Sequence, residues 1–354
     1  MVEFTVLASG SRGNSAVLSA GSTRILLDAG LSARELCRRM QSCGIDPATL
    51  DAILITHEHS DHVRGLGAMA RRLGVPVYLT EATHREWRRI VCPQPKQTYA
   101  QWLEALRARK AAAQQAGQPD GRPGELESVA AGLALAAEAA DGPELGLLET
   151  EALVTEALET DALEPDQSAT EAAEPEAAGQ KSGNAAHLPE VCYLKPGEPF
   201  SLGAIEVHPF TIPHDAADPV GYVFRAEGVR VGVATDLGYV PPNVAAQLQG
   251  CDLLMLESNH DLDMLRDGPY PWSVKQRVLS RVGHLSNDAA AEFLEQNWDG
   301  RAGWVILAHL SESNNLPEIA RLTAERALER HAASLFGRQL LLAQQDEPLS
   351  PIAL

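Results

Sequence analysis

Short apolar runs that stop at polar residues recur along most of this chain. Phe4-Thr5-Val6-Leu7, Ala16-Val17-Leu18, Arg24-Ile25-Leu26-Leu27, Ala52-Ile53-Leu54-Ile55 and Val75-Pro76-Val77-Tyr78-Leu79 have the length and content of strands. The same holds for residues 204–211, for a hairpin of 220–225 and 229–234 around Glu227-Gly228, and for 252–256, 304–308 and 339–343. Between them, helical spacing of apolar residues predicts helices over 31–40, through Leu66, Met69, Ala70 and Leu73, and over 81–91, 273–282, 288–297 and 316–331. Asn287 is the expected cap of the helix that follows it. Strands alternating with helices predict an α/β (α+β) domain. No apolar run approaches the length of a membrane span.

The pattern lapses in the middle of the chain. Residues 102–115 can form a helix, but beyond them the sequence turns to Ala, Glu, Gly and Pro with almost no aromatics. Thr150-Glu-Ala-Leu-Val, Thr155-Glu-Ala-Leu-Glu and Thr160-Asp-Ala-Leu-Glu repeat every five residues, and a period of five leaves no continuous apolar stripe on a helix. Residues 1–98 and 190–354 are therefore expected to form one domain, with 99–189 a low-complexity acidic insertion, largely disordered. Charge supports the division. Of the net −19, −13 falls between Ala100 and Glu190, which hold 18 acidic and 5 basic residues, and −6 on the remainder. The acidity thus says little about partners of the folded part. The five cysteines form no CxxC pair, and Met1-Val2-Glu3-Phe4-Thr5 lacks a basic start or apolar signal core, so a reducing, cytoplasmic setting is expected.

Candidate chemistry concentrates at His57-Glu58-His59-Ser60-Asp61-His62, directly after a buried-strand pattern. If the chain stays extended past the strand, His57 and His59 point the same way, while Asp61 and His62 begin a helix. Imidazole and carboxylate donors gathered in this way suit zinc and neighbouring divalent metals. His214, Asp236, Glu257 and His309 also follow apolar strands, and open sheets place their sites at strand ends. The loop Ser9-Gly10-Ser11-Arg12-Gly13-Asn14-Ser15 could offer backbone N–H groups to an anion or be a plain turn. Asp28, at another strand end, is a turn former or a partner of the site. The helix over 81–91 carries Arg85, Arg88 and Arg89 with His84 alongside, as a solvated face or a phosphate-contacting rim.

The order H-E-H-S-D-H, then His214, Asp236 and His309, resembles the metallo-β-lactamase fold. Ala8–Ser15, Pro213–Tyr222, Thr235-Asp236, Glu257-Ser258-Asn259-His260-Asp261 and Gly283-His284-Leu285-Ser286-Asn287 resemble its YycJ/WalJ-like branch, related to ribonuclease Z and ribonuclease J. The resemblance covers residues 1 to about 98 and 190 to about 345, not the insertion. It implies an αββα sandwich of two mixed sheets flanked by helices. It implies two divalent metal ions, zinc or manganese: one held by His57, His59 and His214, the other by Asp61, His62 and His309, with Asp236 between them. An Asp in that position resembles the phosphodiesterase branches, where β-lactamases have a Cys.

The expected activity is metal-dependent phosphodiester hydrolysis by a metal-bridging hydroxide, as a nuclease, with the resemblance favouring 5′-to-3′ exonuclease action on DNA over RNA. Asp61 and Asp236 would orient the hydroxide. His284 would protonate the leaving group, with a helix-cap histidine as the bland alternative. Glu257 and His260 are candidate outer partners, His260 being also a possible ligand or a plain surface residue. Ser11, Asn14, Ser286, Asn287, Arg85, Arg88 and Arg89 are candidate phosphate contacts. Two other classes stay open: a thioesterase or other ester or lactam hydrolase on the same fold, and a non-catalytic metal-binding regulator.

Overall fold

The computed structural model describes residues 1–93, 107, 186–330 and 339–354. Two seven-stranded sheets form its centre. The first contains β1 (Val2–Ala8), β2 (Ser15–Ala20), β3 (Thr23–Leu27), β4 (Ala52–Leu54), β5 (Val77–Leu79) and β6 (Val191–Tyr193). The second runs from β7 (Phe200–Leu202) through β8 (Ile205–Thr211), β9 (Val220–Ala226), β10 (Val229–Ala234), β11 (Leu253–Glu257) and β12 (Trp304–Ala308) to β13 (Gln339–Leu342). A final strand, β14 (Ile352–Ala353), returns to pair with β1. Each sheet is antiparallel in one part and parallel in the other. β3 to β6 are parallel, and so are β10 to β13.

Side-chain alternation explains the layers. Ile25 and Leu27 join a core shared with Tyr222, Phe224 and Ile306 of the other sheet, while Leu26 between them packs outward with Leu36, Met40 and Trp87. In β11, Leu253 and Met255 face the inter-sheet core, and Leu254 and Leu256 pack with Phe293, Leu294 and Ala320. Both faces of these strands are therefore apolar, as a buried parallel arrangement requires. The result is the expected αββα sandwich.

Helices occupy Ala33–Ser42, Ser60–Val63, Leu66–Leu73 and Glu81–Val91 beside the first sheet. Pro242–Gln247, Leu262–Asp267, Trp272–Val278, Asn287–Glu292 and Pro317–Leu328 accompany the second. Three sequence expectations need correction. The helix predicted over 273–282 ends at Val278, because residues 279–283 turn back toward the site. The cap of the helix beginning at Asn287 is Ser286, whose hydroxyl accepts from Ala289 N (3.1 Å); Asn287 instead points into a buried network with Ser258 and Asn315. That helix ends at Glu292, and Phe293–Asn297 continues as a π-helical turn. β6, β7 and β14, of two or three residues each, are strands beyond those the apolar runs predict.

The five-residue repeat and the helix expected over 102–115 lie outside the described residues, Arg107 excepted. The far end of the expected insertion is described, and it packs: Ala186 and Leu188 are buried in the cluster that holds Val77, Leu79 and Trp87. A chain lacking 119–179 is expected to melt at the wild-type temperature. Extending the deletion through Leu188 removes a buried leucine, a loss of about 2–5 kcal/mol for such a side chain, and thermal denaturation of the two deletions reads the difference.

Candidate metal centre

The carboxyl ends of the parallel strands of both sheets meet along one edge. Val220 N donates to Thr56 O (3.0 Å), Tyr222 Oη to Ile55 O (2.7 Å) and His309 N to Ser9 Oγ (2.8 Å), which ties the strand ends of the two sheets together. His59 caps the turn Ser60–Val63, so Asp61 and His62 fall in its first turn and face back to the strand end. Gly30 permits this approach: a Cβ there would stand 1.6 Å from Asp61 O.

Three of the four non-glycine residues with left-handed backbone among the described residues lie here: Asp28 (φ 57°), Asp236 (φ 61°) and His309 (φ 56°). Each follows a parallel strand by one or two residues. Such conformations cost on the order of 1–3 kcal/mol each and persist where surrounding bonds dictate them. Here Asp28 N donates to Leu54 O (2.8 Å) and His309 N to Ser9, and the reversal turns each side chain off its strand toward the edge.

Two groups of donors result. His57, His59 and His214 form one; Asp61, His62, Asp236 and His309 form the other; within each, one donor atom per residue lies within 4.8 Å of the rest. Asp236, Glu257, His284 and His309 form a third, overlapping group. His284 stands between the first two, its ring 5.2 Å from that of His214 and 5.1 Å from that of His309.

Surrounding acceptors fix the ring tautomers. His214 Nδ1 donates to Gly283 O (3.1 Å), His62 Nδ1 to Asp28 (2.8 Å) and His309 Nδ1 to Glu257 (2.8 Å). A neutral imidazole that donates from Nδ1 keeps a bare lone pair on Nε2. In His214 that atom lies 3.2 Å from His59 Nδ1; in His309, where burial is overcome by the carboxylates of Asp236, Asp61 and Glu257, which hold the ring well above the ordinary value, Nε2 lies 3.4 Å from Asp61 Oδ2. His57 Nε2 is buried without a hydrogen-bond partner among the described residues, and Asp236 Oδ2 has only the ion-pair contact of His62 Nε2 at 3.3 Å. Orphaned buried donor atoms are costly in a folded protein unless a cation joins them. These residues fit a divalent metal.

Electrostatics agree. Burial, with neighbouring imidazoles, pushes His57 well below the ordinary histidine range and His59 to about 4, so this half favours neutral, metal-binding imidazole. Burial works against charge on His62 too, yet Asp236, Asp61 and Asp28 outweigh it and hold that ring well above the ordinary value. The same carboxylates attract a metal cation, which would displace that proton from His62. Burial also opposes ionisation of Asp236, but His309, His62 and His57 keep it well below the usual carboxylate range.

The neighbours of the donors carry information that spacing alone did not. Asp28 accepts from Thr56 N (2.8 Å) and Oγ1 as well as from His62, so it orients a donor in addition to making a turn. Asn14 Nδ2 donates to Asp61 Oδ2 (3.0 Å) and to Gly10 O, so it is engaged inside the site rather than offered as a phosphate contact. Glu58, given no role from sequence, accepts from Ala217 N (2.7 Å) and links the His57 loop to the His214 loop. Asp28→Asn is expected to weaken metal affinity by about 10–100-fold, the usual effect of losing an outer partner, with the fold retained; competition with a chromophoric chelator measures it.

Other expected contacts fall elsewhere. The N–H groups of Ser9, Gly10, Arg12, Gly13 and Asn14 all bond to protein acceptors, so the glycine-rich loop is a turn and not an anion cradle; Ser11 is exposed on it. Ser286 caps its helix and Asn287 is buried, which occupies both. Arg85, Arg88 and Arg89 are exposed, with Arg89 paired to Glu86. His84 is buried against Trp87 and bonds Tyr193 Oη (3.0 Å), so it does not belong to that face. His260 is buried, which excludes a surface role, and lies outside all three donor groups. His284 precedes the capped helix by three residues; it is held by Glu257 Oε1 (2.8 Å), not by a helix terminus.

The Metallo-beta-lactamase superfamily profile matches residues 8–92, and the Beta-lactamase superfamily domain profile matches residues 169–309. The chain is 27% identical over 328 residues to exodeoxyribonuclease YycJ of Bacillus anthracis, covering 93% of this chain and 89% of that one. It is 28% identical over 321 residues to exodeoxyribonuclease WalJ of Streptococcus pneumoniae, covering 91% and 86%. The fold is that of the metallo-beta-lactamase fold protein YhfI from Bacillus subtilis, with TM-score 0.55 and 14% identity over 98% of both chains.

Proposed function

We propose that this chain, which belongs to the metallo-β-lactamase superfamily, is a two-metal phosphodiesterase acting on nucleic acid, as a 5′-to-3′ exonuclease on DNA in preference to RNA. The observation that carries the reading is the position of His284, held by Glu257 between two donor groups that Asp236 adjoins. Similarity to two exodeoxyribonucleases over about nine-tenths of the chain supports the substrate class. The five cysteines are free thiols, in keeping with a cytoplasmic enzyme, and no helix among the described residues is long and apolar enough to cross a membrane.

His57, His59 and His214 would hold one zinc or manganese ion, Asp61, His62 and His309 the other, with Asp236 shared. When bound, such ions lower the pKa of water and neutralise charge on a phosphoryl oxygen. The chain's own residues do the rest. Asp61, steadied by Asn14, and Asp236 accept hydrogen bonds from the attacking water and aim it. His284 holds a proton for the departing alkoxide. Burial opposes its charging, but the Glu257 carboxylate at 2.8 Å outweighs burial and raises its pKa above the ordinary value. Glu257 itself is kept at about 2, because its bonds to His284 and His309 overcome burial. It also accepts from Leu237 N and Leu285 N, so it cannot swing away from either imidazole.

The competing class is thioester or other ester hydrolysis on the same fold. Metal-loaded protein offered end-labelled DNA, end-labelled RNA, a small phosphodiester and a thioester separates them. Shortening of DNA from its 5′ end is the expected result. Turnover of the thioester alone would overturn the reading.

A further inference from the structure

The segment that follows the helix Trp272–Val278 lies beside the cleft and is fixed there through its backbone. Asp215 N, next to His214, donates to Val282 O (2.9 Å), and His284 N donates to Val278 O (3.0 Å). Gly238, two residues after Asp236, presses on the same segment: a Cβ there would stand 2.4 Å from the Arg281 carbonyl carbon. Gly238 N in turn donates to Pro213 O (3.0 Å). The turn carrying Tyr239 and the turn carrying Arg281 are thus locked together, each within three residues of a group at the centre of the site.

On this scaffold the guanidinium of Arg281 lies over the ring of Tyr239, its Cζ 4.4 Å from the ring centroid. Arg281 is exposed, and among the described residues no carboxylate pairs with it. Its neighbours differ: Arg277 pairs with Asp215, and Arg266 with Asp263 and Asp267. A guanidinium placed on an aromatic face has its plane fixed while its N–H edge stays free, and that edge matches phosphate oxygens. Ordering it in advance lowers the entropy lost on binding.

We propose that Arg281, steadied by Tyr239, binds the phosphate of a polynucleotide adjoining the one being cleaved. The assignment rests on the nucleic-acid reading above. It places the contact on the rim next to His214, Asp236 and His284, not on the Arg85/Arg88/Arg89 helix. A small phosphodiester, having no second phosphate, never engages it.

The test compares wild type with Arg281→Ala, Tyr239→Ala and Tyr239→Phe, metal-loaded, on an end-labelled oligodeoxynucleotide and on bis(p-nitrophenyl) phosphate. Arg281→Ala is expected to raise KM for the oligonucleotide by about 10-fold or more, the worth of one charge-assisted hydrogen bond. Its kcat, metal content and rate on the small ester should stay at wild-type values. The salt dependence of oligonucleotide binding should fall by about one phosphate. Tyr239→Ala should shift KM the same way by less, and Tyr239→Phe, which keeps the ring, not at all. An unchanged KM and salt slope in Arg281→Ala would overturn the assignment, as would equal losses on both substrates, which would mean that the turn shapes the metal site. A wild-type protein that cleaves the small ester but no polynucleotide removes the nuclease reading together with this contact. A wild type that degrades DNA, with Arg281→Ala unchanged, removes the contact alone.

Discussion

Asp236→Ala is expected to retain at most one metal ion per chain and to lose hydrolysis of every phosphodiester, while remaining folded. Asp236 sits among His57, His62 and His309, with Oδ1 3.3 Å from His309 Nδ1 and Oδ2 3.3 Å from His62 Nε2. Its removal leaves imidazoles crowded together with one fewer anion to balance a bound cation. Loss of water activation, which in metal sites amounts to a pKa drop from about 15.7 to about 7, places the activity below detection. The left-handed backbone at this position (φ 61°) suits alanine less well than aspartate, so a drop of about 1 kcal/mol or more in stability accompanies the change. Asp236→Asn controls for strain: it keeps the shape and loses the charge. Elemental analysis with thermal denaturation separates metal loss from unfolding, and full metal content with wild-type turnover in Asp236→Asn would remove this residue from the site.

His284→Ala should have a different signature. Metal content stays at the wild-type value while kcat falls by about 10²–10⁴-fold, the range for general acid–base assistance. His284 bonds Glu257 and is half-buried between the two donor groups, so its loss opens space without removing a donor from either one. A leaving group that needs no proton, such as p-nitrophenolate, should recover most of the rate. Glu257→Gln is expected to lower kcat as well, and also to loosen metal binding, because the same carboxylate orients His309. If His284→Ala strips the metal instead, the imidazole is a ligand and the proton comes from elsewhere.

The parts of this site legible in the sequence are those whose position follows from a strand end. His57, His214, Asp236, Glu257 and His309 each stop an apolar run, and the parallel register of β10, β11 and β12 brings the last strands' ends side by side. Their neighbours were harder to place. Asn14 reaches Asp61 across 47 residues and Glu58 reaches Ala217 across 159, and no local spacing encodes such pairs. The choice between an anion site and a plain turn at the glycine-rich loop is open in the sequence for a related reason. Gly10 and Gly13 signal a tight turn, but where its N–H groups point depends on Gln344, Gln345 and Asp61, which come from distant parts of the chain. Helical spacing sets His84 beside an exposed arginine face and cannot reveal that Tyr193 and Trp87 cover it. Arg281 and Tyr239 carry no sequence signal as a pair, since 42 positions separate them; the packing of Gly238 helps join their turns.

The proposed hydrolysis of nucleic acid depends on two metal ions held by His57, His59, Asp61, His62, His214, Asp236 and His309. That dependence is tested most directly by stripping the protein of metal and following cleavage of 5′-end-labelled DNA as zinc or manganese is returned in counted equivalents. Activity absent at the start, rising with added metal and levelling at about two equivalents per chain, as a two-metal site requires, is the predicted result. Full cleavage by the stripped protein, or a plateau with DNA intact at every metal level, would contradict it.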